Sequence, residues 1–368
     1  MKASTWRSRM AWCALVTAAC CAGCVNPGLP APPTHTTPSV QAPETRELAE
    51  RQKIDQEAIN ILLQFTDEHQ ANWDDYDKLI QRYTQGLPTT AAGTSKLALA
   101  LATLQEEYDK KFAVMTKAPR RAKQTFTEEN SRLDKWIKRR PKSATFLIAK
   151  SMLARSYAWY LRGDGTVDTV NPRIWPEFNA VINNARSFLL KNKTIGQTNP
   201  MWYVEMLFLA RAVPGKPGAQ ELLHEGVQHY PGFMPIYLAA MQGALPKWGG
   251  SPQAVEQVAR SAQGTEYADM VYAYVWHNAV LDCNCDLNDV MVDAARKQAS
   301  WPDMKRGWKQ RAQKYPDGWV YNGFAAMACL MGDQQTFRAA SARMGPRIQA
   351  FEEGWPKGMT YEQCRDQP

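Results

Sequence analysis

His224-Glu225 followed by His229 is the first place where residue types suggest chemistry, because two histidines and a glutamate on one helix are the ligand and base set of zinc peptidases. The spacing fails. Histidines that share a metal on a helix stand four residues apart, and at five their side chains diverge by about 140°. His35 and His69 have no spacing relation to them. Carboxylates are the next chemical group: Asp74, Asp75 and Asp77, the pair Glu128-Glu129, and the pair Glu352-Glu353. Glycosidic acid/base chemistry needs two carboxylates facing each other across a cleft, whereas adjacent helical residues point about 100° apart. Glu128 and Glu129 follow Thr127 at an expected helix start, where negative charge complements the macrodipole. Gly249-Gly250-Ser251 lacks the strand before it and the Lys after it that a phosphate loop requires, and Ser251-Pro252 reads better as a turn feeding a capped helix. No catalytic residue, metal ligand or cofactor is expected from these spacings.

Cys283-x-Cys285 could join His277 or Asp286 in a metal site, but the remaining ligands stand at no recognisable spacing. With Cys24 and the leader set aside, Cys283, Cys285, Cys329 and Cys364 make an even set, which in an oxidising compartment reads as disulfide chemistry. A bridge between Cys283 and Cys285 closes a small strained ring. One or both of them are therefore expected to reach Cys329 or Cys364 and staple the C-terminal helices; buried free thiols are the alternative. Trp248 reads either as a binding platform or as a wedge between repeats. From Lys110 to Lys142 twelve Lys and Arg face only Glu128, Glu129 and Asp134. Within that stretch Arg120, Arg121, Lys123, Lys135, Lys138, Arg139 and Arg140 form a candidate basic patch, either a solvated helix face or a contact for anionic material.

The elements that must carry these residues begin with an export leader. Lys2, Arg7 and Arg9 precede an uncharged run from Met10 to Ala22, too short to span a bilayer, which ends at Cys21-Ala22-Gly23-Cys24. Small residues before a cysteine suit a lipoprotein signal peptidase, so residues 1–23 are expected to be removed and Cys24 to be lipidated, for example by palmitate. Val25 in place of an acidic residue points to the outer membrane over the inner. Six prolines between Asn26 and Thr45 make residues 24–45 an extended tether rising about 3.1 Å per residue. The net charge of +8 falls to +5 without the three leader cations, which is too mild to argue for nucleic acid.

Beyond the tether the pattern is helical throughout. Leu48, Ile54, Ala58, Ile61, Leu62 and Phe65 make one 3.6-period stripe; Trp73, Tyr76, Leu79, Ile80 and Tyr83 make a second; Leu97, Leu101, Leu104, Tyr108, Phe112 and Met115 make a third behind a Ser95 cap. Asn199-Pro200 and Ser251-Pro252 mark later helix starts. Residues 46–140 read as an N-terminal helical segment and 141–368 as a helical-repeat domain. Gln228-His229-Tyr230-Pro231-Gly232-Phe233 is echoed by Gln313-Lys314-Tyr315-Pro316-Asp317-Gly318-Trp319, and Ala239-Ala240-Met241 by Ala325-Ala326-Met327. Units of this kind bury their apolar faces only by stacking. The fold class expected is all-α, an α-solenoid of antiparallel helix pairs, tetratricopeptide-like.

Tyr157 to Gly165, Trp202-Tyr203, Pro235-Ile236-Tyr237 and above all Leu245-Pro246-Lys247-Trp248-Gly249-Gly250-Ser251 resemble the bacterial family catalogued as domain of unknown function 4034. Asn322 to Ala325, Ala328 to Asp333 and the closing Cys364-Arg365 resemble its C-terminal pattern. The resemblance runs from about residue 140 to the end. It implies a tetratricopeptide-like helical fold and no established activity.

Together these readings lead to a lipoprotein on the periplasmic face of a bacterial membrane, with a helical body serving as a scaffold or protein-interaction module and needing no cofactor. A protein partner is expected, with an anionic envelope polymer as a further contact and nucleic acid disfavoured by compartment. Two other classes stay open: an inhibitor or immunity lipoprotein that binds a toxin, and a cell-wall hydrolase whose carboxylates converge only on folding.

Overall fold

A computed structural model describes residues 46–63, 71–115, 118–283, 287, 289–345 and 354–367. Cys24, the leader, the tether, Cys285 and Glu352-Glu353 lie outside the described residues. The chain runs through α1 (Arg46–Leu63), α2 (Ala71–Thr84), α3 (Lys96–Ala113), α4 (Pro119–Arg139), α5 (Ala144–Arg162), α6 (Trp175–Lys191), the short α7 (Lys193–Gly196) and α8 (Met201–Ala212). It continues through α9 (Ala219–His229), α10 (Met234–Ala244), α11 (Pro252–Arg260), α12 (Ala268–Asp282), α13 (Val290–Lys297), α14 (Trp301–Lys314), α15 (Gly318–Leu330), α16 (Gln334–Met344) and α17 (Tyr361–Arg365). Among the described residues the isolated bridge between Thr89 and Ser95 is the extended pairing found. The fold is an all-α array of helix pairs, with short connections that turn each helix back on its predecessor.

Local chemistry sets the helix ends. Ser95 Oγ accepts from the Ala98 amide at 3.2 Å, Ser251 Oγ from Ala254 at 3.2 Å, and Asp333 Oδ1 from Thr336 at 3.0 Å. Three helices stop in one way, each at a residue followed by proline, which disfavours helical backbone at the residue before it. Arg140, Tyr230 and Tyr315 sit at (φ, ψ) of (−125°, 63°), (−138°, 61°) and (−131°, 78°), each donating its amide to the carbonyl four residues back. The Tyr-Pro echo read in the sequence therefore has a third structural copy at Arg140-Pro141. Glu128 and Glu129 do not stand at a helix start: Pro119 opens α4, and the pair lies in its middle.

The helices form two layers. α3, α5, α8, α10 and α12 pack consecutively on one another, and α4, α6, α9 and α11 lie outside them. The inner helices α8 and α10 are buried on nearly every side and are accordingly rich in apolar residues. All of Met201 to Leu209 in α8 and all of Met234 to Met241 in α10 are buried, whereas α4 buries Ala122, Glu129, Leu133 and Trp136 alone. Trp202, Trp276 and Trp308 are among the largest fully buried side chains, and truncating such a residue to Ala costs about 3–5 kcal/mol. At Gly307 a Cβ would lie 1.9 Å from the Asp269 carbonyl oxygen, so α14 crosses α12 at backbone distance and only Gly fits.

Stacked helix pairs ordinarily leave an open concave face. Instead, the connection from Gly86 to Ser95 is tucked inward, with Ala92, Gly93, Thr94 and Ser95 all buried. Loops normally run over the surface because buried backbone needs partners. Here Glu47 supplies them. Its carboxylate, fully buried, accepts from the Ala92 amide at 2.7 Å, Thr94 Oγ1 at 3.0 Å and Arg51 Nε at 2.6 Å. The far side of the loop meets the other end of the chain: Arg311 Nη2 donates to the Ala92 carbonyl at 2.6 Å, and a Cβ on Gly93 would lie 2.7 Å from the Tyr315 ring. The array thus closes on itself, its first pair of helices joined to α14. Packing is also continuous at residue 140, where Arg140 pairs with Asp74 at 2.7 Å and Ser143 donates to Asp77 at 2.7 Å.

Candidate functional site

The structure distributes the sequence candidates widely. His224 and His229 are exposed; His224 faces Gln228 at 3.0 Å, while His229 stacks on Tyr203 at 6.1 Å between ring centroids. No group of three or more metal-ligating side chains gathers among the described residues. Asp77 is buried and occupied by Ser143 and Gln81, and Asp74 by Arg140, so this acidic run ties α2 to the turn before α5. Glu129 is buried between Lys111 and Arg132. Glu106 is the carboxyl most open to acid/base use, pushed up to about 7 by burial against the pull of Lys110. Its neighbour Asp109 is also pushed up by burial, but is taken by Ser156 at 2.6 Å and Gln105 at 3.0 Å.

Trp248 acts as a wedge. Its ring meets Trp159 of α5 edge-on at 5.7 Å, and the Arg211 guanidinium of α8 lies 4.7 Å above it. Gly249 has φ +83°, and a Cβ at Gly250 would lie 2.0 Å from the Ala244 carbonyl oxygen, so the two glycines fold the chain back on α10 with no cradle for a phosphate. The cysteines pair differently from expectation. Cys329 of α15 is bonded to Cys364 of α17 with Cα atoms 5.8 Å apart, within the usual disulfide range. Neither Cys283 nor Cys285 reaches that pair; Cys283 is disulfide-bonded elsewhere, and Cys285 lies outside the described residues. The physical reason is adjacency: α17 returns directly onto α16, so its cysteine meets α15 first, as the Gln334 contact to the Cys364 carbonyl at 2.8 Å shows.

The basic patch is real as a surface. Arg120, Arg121, Lys123, Lys135, Lys138, Arg139 and Arg140 are all exposed. Arg140 is committed to Asp74, Lys123 lies 3.6 Å from Glu177, and Arg139 lies 5.3 Å over Trp136. Arg120, Arg121, Lys135 and Lys138 make no ion pair among the described residues. They lie within about 100° of one another around the helix, along a helix that spans about 30 Å at 1.5 Å per residue. Leu133 and Trp136 on the opposite side hold that helix to the body.

A second concentration of polar groups was not foreseen. Where the inward loop meets the C-terminal helices, a cleft of about 90 Å³ opens between Ala92 and Thr94 on one side and Tyr274, His277, Trp308 and Arg311 on the other. Its lining contains two arginines and a histidine, and no Asp or Glu. Arg51 is neutralised by Glu47 at 2.6 Å. Arg311, 4 % exposed, has no carboxylate partner among the described residues; it donates to Ala92 and lies 4.1 Å over Tyr274 and 5.5 Å over Tyr315. His277 meets the Gly354 carbonyl at 2.8 Å through Nε2, and burial pushes it down to about 4, so it is neutral at ordinary pH. The only signal in the sequence was Trp308 and Arg311 at helical i,i+3 spacing, which reads equally as a packing stripe.

No family model, no curated protein and no solved structure matches the chain. No helix among the described residues is long and apolar enough to cross a membrane.

Proposed function

We propose that this protein is a lipoprotein, held through Cys24 at the periplasmic face of a bacterial membrane, that serves as a helical scaffold for an acidic protein partner. The exposed cation face of α4 carries this reading: Arg120 and Arg121 near one end and Lys135 and Lys138 near the other are held on the same side of a rigid helix, free of ion pairs among the described residues. The same face carries Glu128, exposed and bonded to Gln124 at 2.9 Å. A negative charge inside a basic field weakens the attraction to a uniform polyanion such as a headgroup layer, but suits a partner of patterned charge. The leader, the Cys24 context and the proline tether support the location, with the outer membrane favoured by Val25. The resemblance to the domain of unknown function 4034 family implies a helical architecture and assigns no activity.

The test is a crosslinked pull-down of the mature protein from its own membrane, comparing wild type with a charge-reversed chain (Arg120→Glu, Arg121→Glu, Lys135→Glu). One acidic protein should be recovered with wild type and lost with the variant, and recovery should fall as salt rises. Equal recovery from both chains overturns the assignment of this face. Binding of the wild type to protein-free anionic vesicles instead would replace the partner with the membrane itself. A Cys24→Ala chain that still fractionates with membrane would remove the anchor from the reading.

A further inference from the structure

Among the described residues, the buried nitrogens Arg311 Nη1, Trp308 Nε1 and His277 Nδ1, which belong to residues lining the closing cleft, have no hydrogen-bond partner. Arg311, Trp308 and His277 are 4 %, 2 % and 6 % exposed, so bulk water does not satisfy them. Leaving one such group unpaired costs about 1–3 kcal/mol, more for a charged one. Folded chains rarely gather three without something to fill the place.

Their chemistry differs. The guanidinium and the indole N–H can only donate. The Gly354 carbonyl can only accept, so the neutral His277 ring carries its proton on Nε2 and presents a lone pair at Nδ1. These three nitrogens thus offer one positive charge without a carboxylate, one neutral donor and one acceptor, with Tyr274, Leu281 and Val320 as apolar wall. A dianion would bring one charge more than Arg311 can balance in a buried place. The cleft has room for several waters or a ligand of a few heavy atoms.

We infer that this cleft binds a monocarboxylate bearing a hydrogen-bond donor beside the carboxylate, such as a 2-hydroxy acid or the acylated C-terminal residue of a peptide. The carboxylate takes Arg311 Nη1 and Trp308 Nε1; the adjacent O–H or N–H donates to His277 Nδ1. The site depends on closure of the array, because the loop that carries Ala92 and Thr94 forms one of its walls and orients Arg311.

The test uses thermal unfolding and tryptophan fluorescence of the mature Cys24→Ala chain, titrated with lactate, N-acetylalanine, propionate, inorganic phosphate and chloride at equal ionic strength. Lactate or N-acetylalanine should raise the unfolding temperature progressively and bind about tenfold tighter than propionate, the equivalent of one hydrogen bond. Binding of N-acetylalanine alone identifies a chain end as the source, and lactate alone a free acid. Trp308→Phe keeps the ring and removes only the N–H, so it should fold and bind about tenfold more weakly. Arg311→Lys keeps the charge and loses the fork, and should weaken binding further. The inference is overturned if no carboxylate acts beyond chloride, if phosphate binds more tightly than lactate and N-acetylalanine, if propionate equals both of them, or if Trp308→Phe binds as wild type does.

Discussion

Arg155 in the middle of the array and Arg311 at its closing seam are each 4 % exposed and each lie over aromatic rings, but their polar partners differ. Arg155 lies 3.0 and 3.1 Å from the two oxygens of Glu205, also reaches Gln105, and stands 4.9 Å over Phe208. Ser151 donates to the same glutamate at 3.1 Å, and Ser156 to Asp109, so one satisfied network crosses α3, α5 and α8. Arg311 has a backbone carbonyl and two rings instead, with one nitrogen left over. Burial alone therefore does not distinguish a structural arginine from a binding one. Completeness of the hydrogen-bond set does: the finished network fixes helix register, and the unfinished one is able to take a ligand.

The largest effect that would separate the two regions is at Glu205. Glu205→Ala leaves Arg155 as a buried uncompensated charge, and urea unfolding should show a loss of about 3–5 kcal/mol. A loss below about 1 kcal/mol would mean that Arg155 is no better paired than Arg311, and the contrast would collapse.

Titration of His277 ranks next. Its folded value, lowered to about 4 by burial, lies below the ordinary value of 6.5, so the unfolded chain binds the extra proton between those limits. Stability should be full above pH 6.5 and decline as pH falls toward 4, by on the order of 3 kcal/mol for this group. Asp317, pushed up to about 6 by burial, has the opposite sign, because the folded chain holds its proton more tightly. His277→Gln should flatten the decline on acidification, and Asp317→Asn should steepen it. If His277→Gln leaves the profile unchanged, His277 is not the buried neutral group that the seam requires.

Arg311→Met should cost about 1–2 kcal/mol, less than Glu205→Ala, since it strands a carbonyl and not a charge. An equal cost in the same unfolding measurement would make the seam arginine as structural as Arg155. The smallest change belongs to the outside of the molecule. Arg120→Glu with Lys138→Glu should move stability by no more than about 0.5 kcal/mol, because neither side chain has an ion-pair partner to lose among the described residues, and a larger change would show that α4 is fixed by its charge.

Most of the architecture was legible from local signals. The Ser95 and Ser251 caps, the Asn199-Pro200 start and the Tyr-Pro echo each depend on a few neighbouring residues, and the helix ends fall accordingly. The third copy at Arg140-Pro141 is hidden in the sequence because arginine replaces the aromatic residue within a run of charge. Glu128-Glu129 misled for a related reason: acidic residues suit a first turn, but Pro119 is the actual opening of α4 and Glu129 is a buried partner of Lys111. The cysteine set was visible while its pairing was not, since pairing depends on which helix returns beside which. The closing cleft was the least legible of all. Its walls come from positions 219 residues apart, Ala92 and Arg311, and no periodicity carries information over that distance.

The buried loop from Ala92 to Ser95 also determines how the molecule comes apart. An open stack of repeats behaves as a one-dimensional chain, fraying from either end while the middle persists. Here the first helix and α14 are joined through Glu47, Ala92 and Arg311, so the body between them cannot fray from α1 without opening the seam at α14. Unfolding should accordingly be a single cooperative event. In refolding, the last event is the closure of a loop spanning most of the chain, with the slow entropic search that such separation brings.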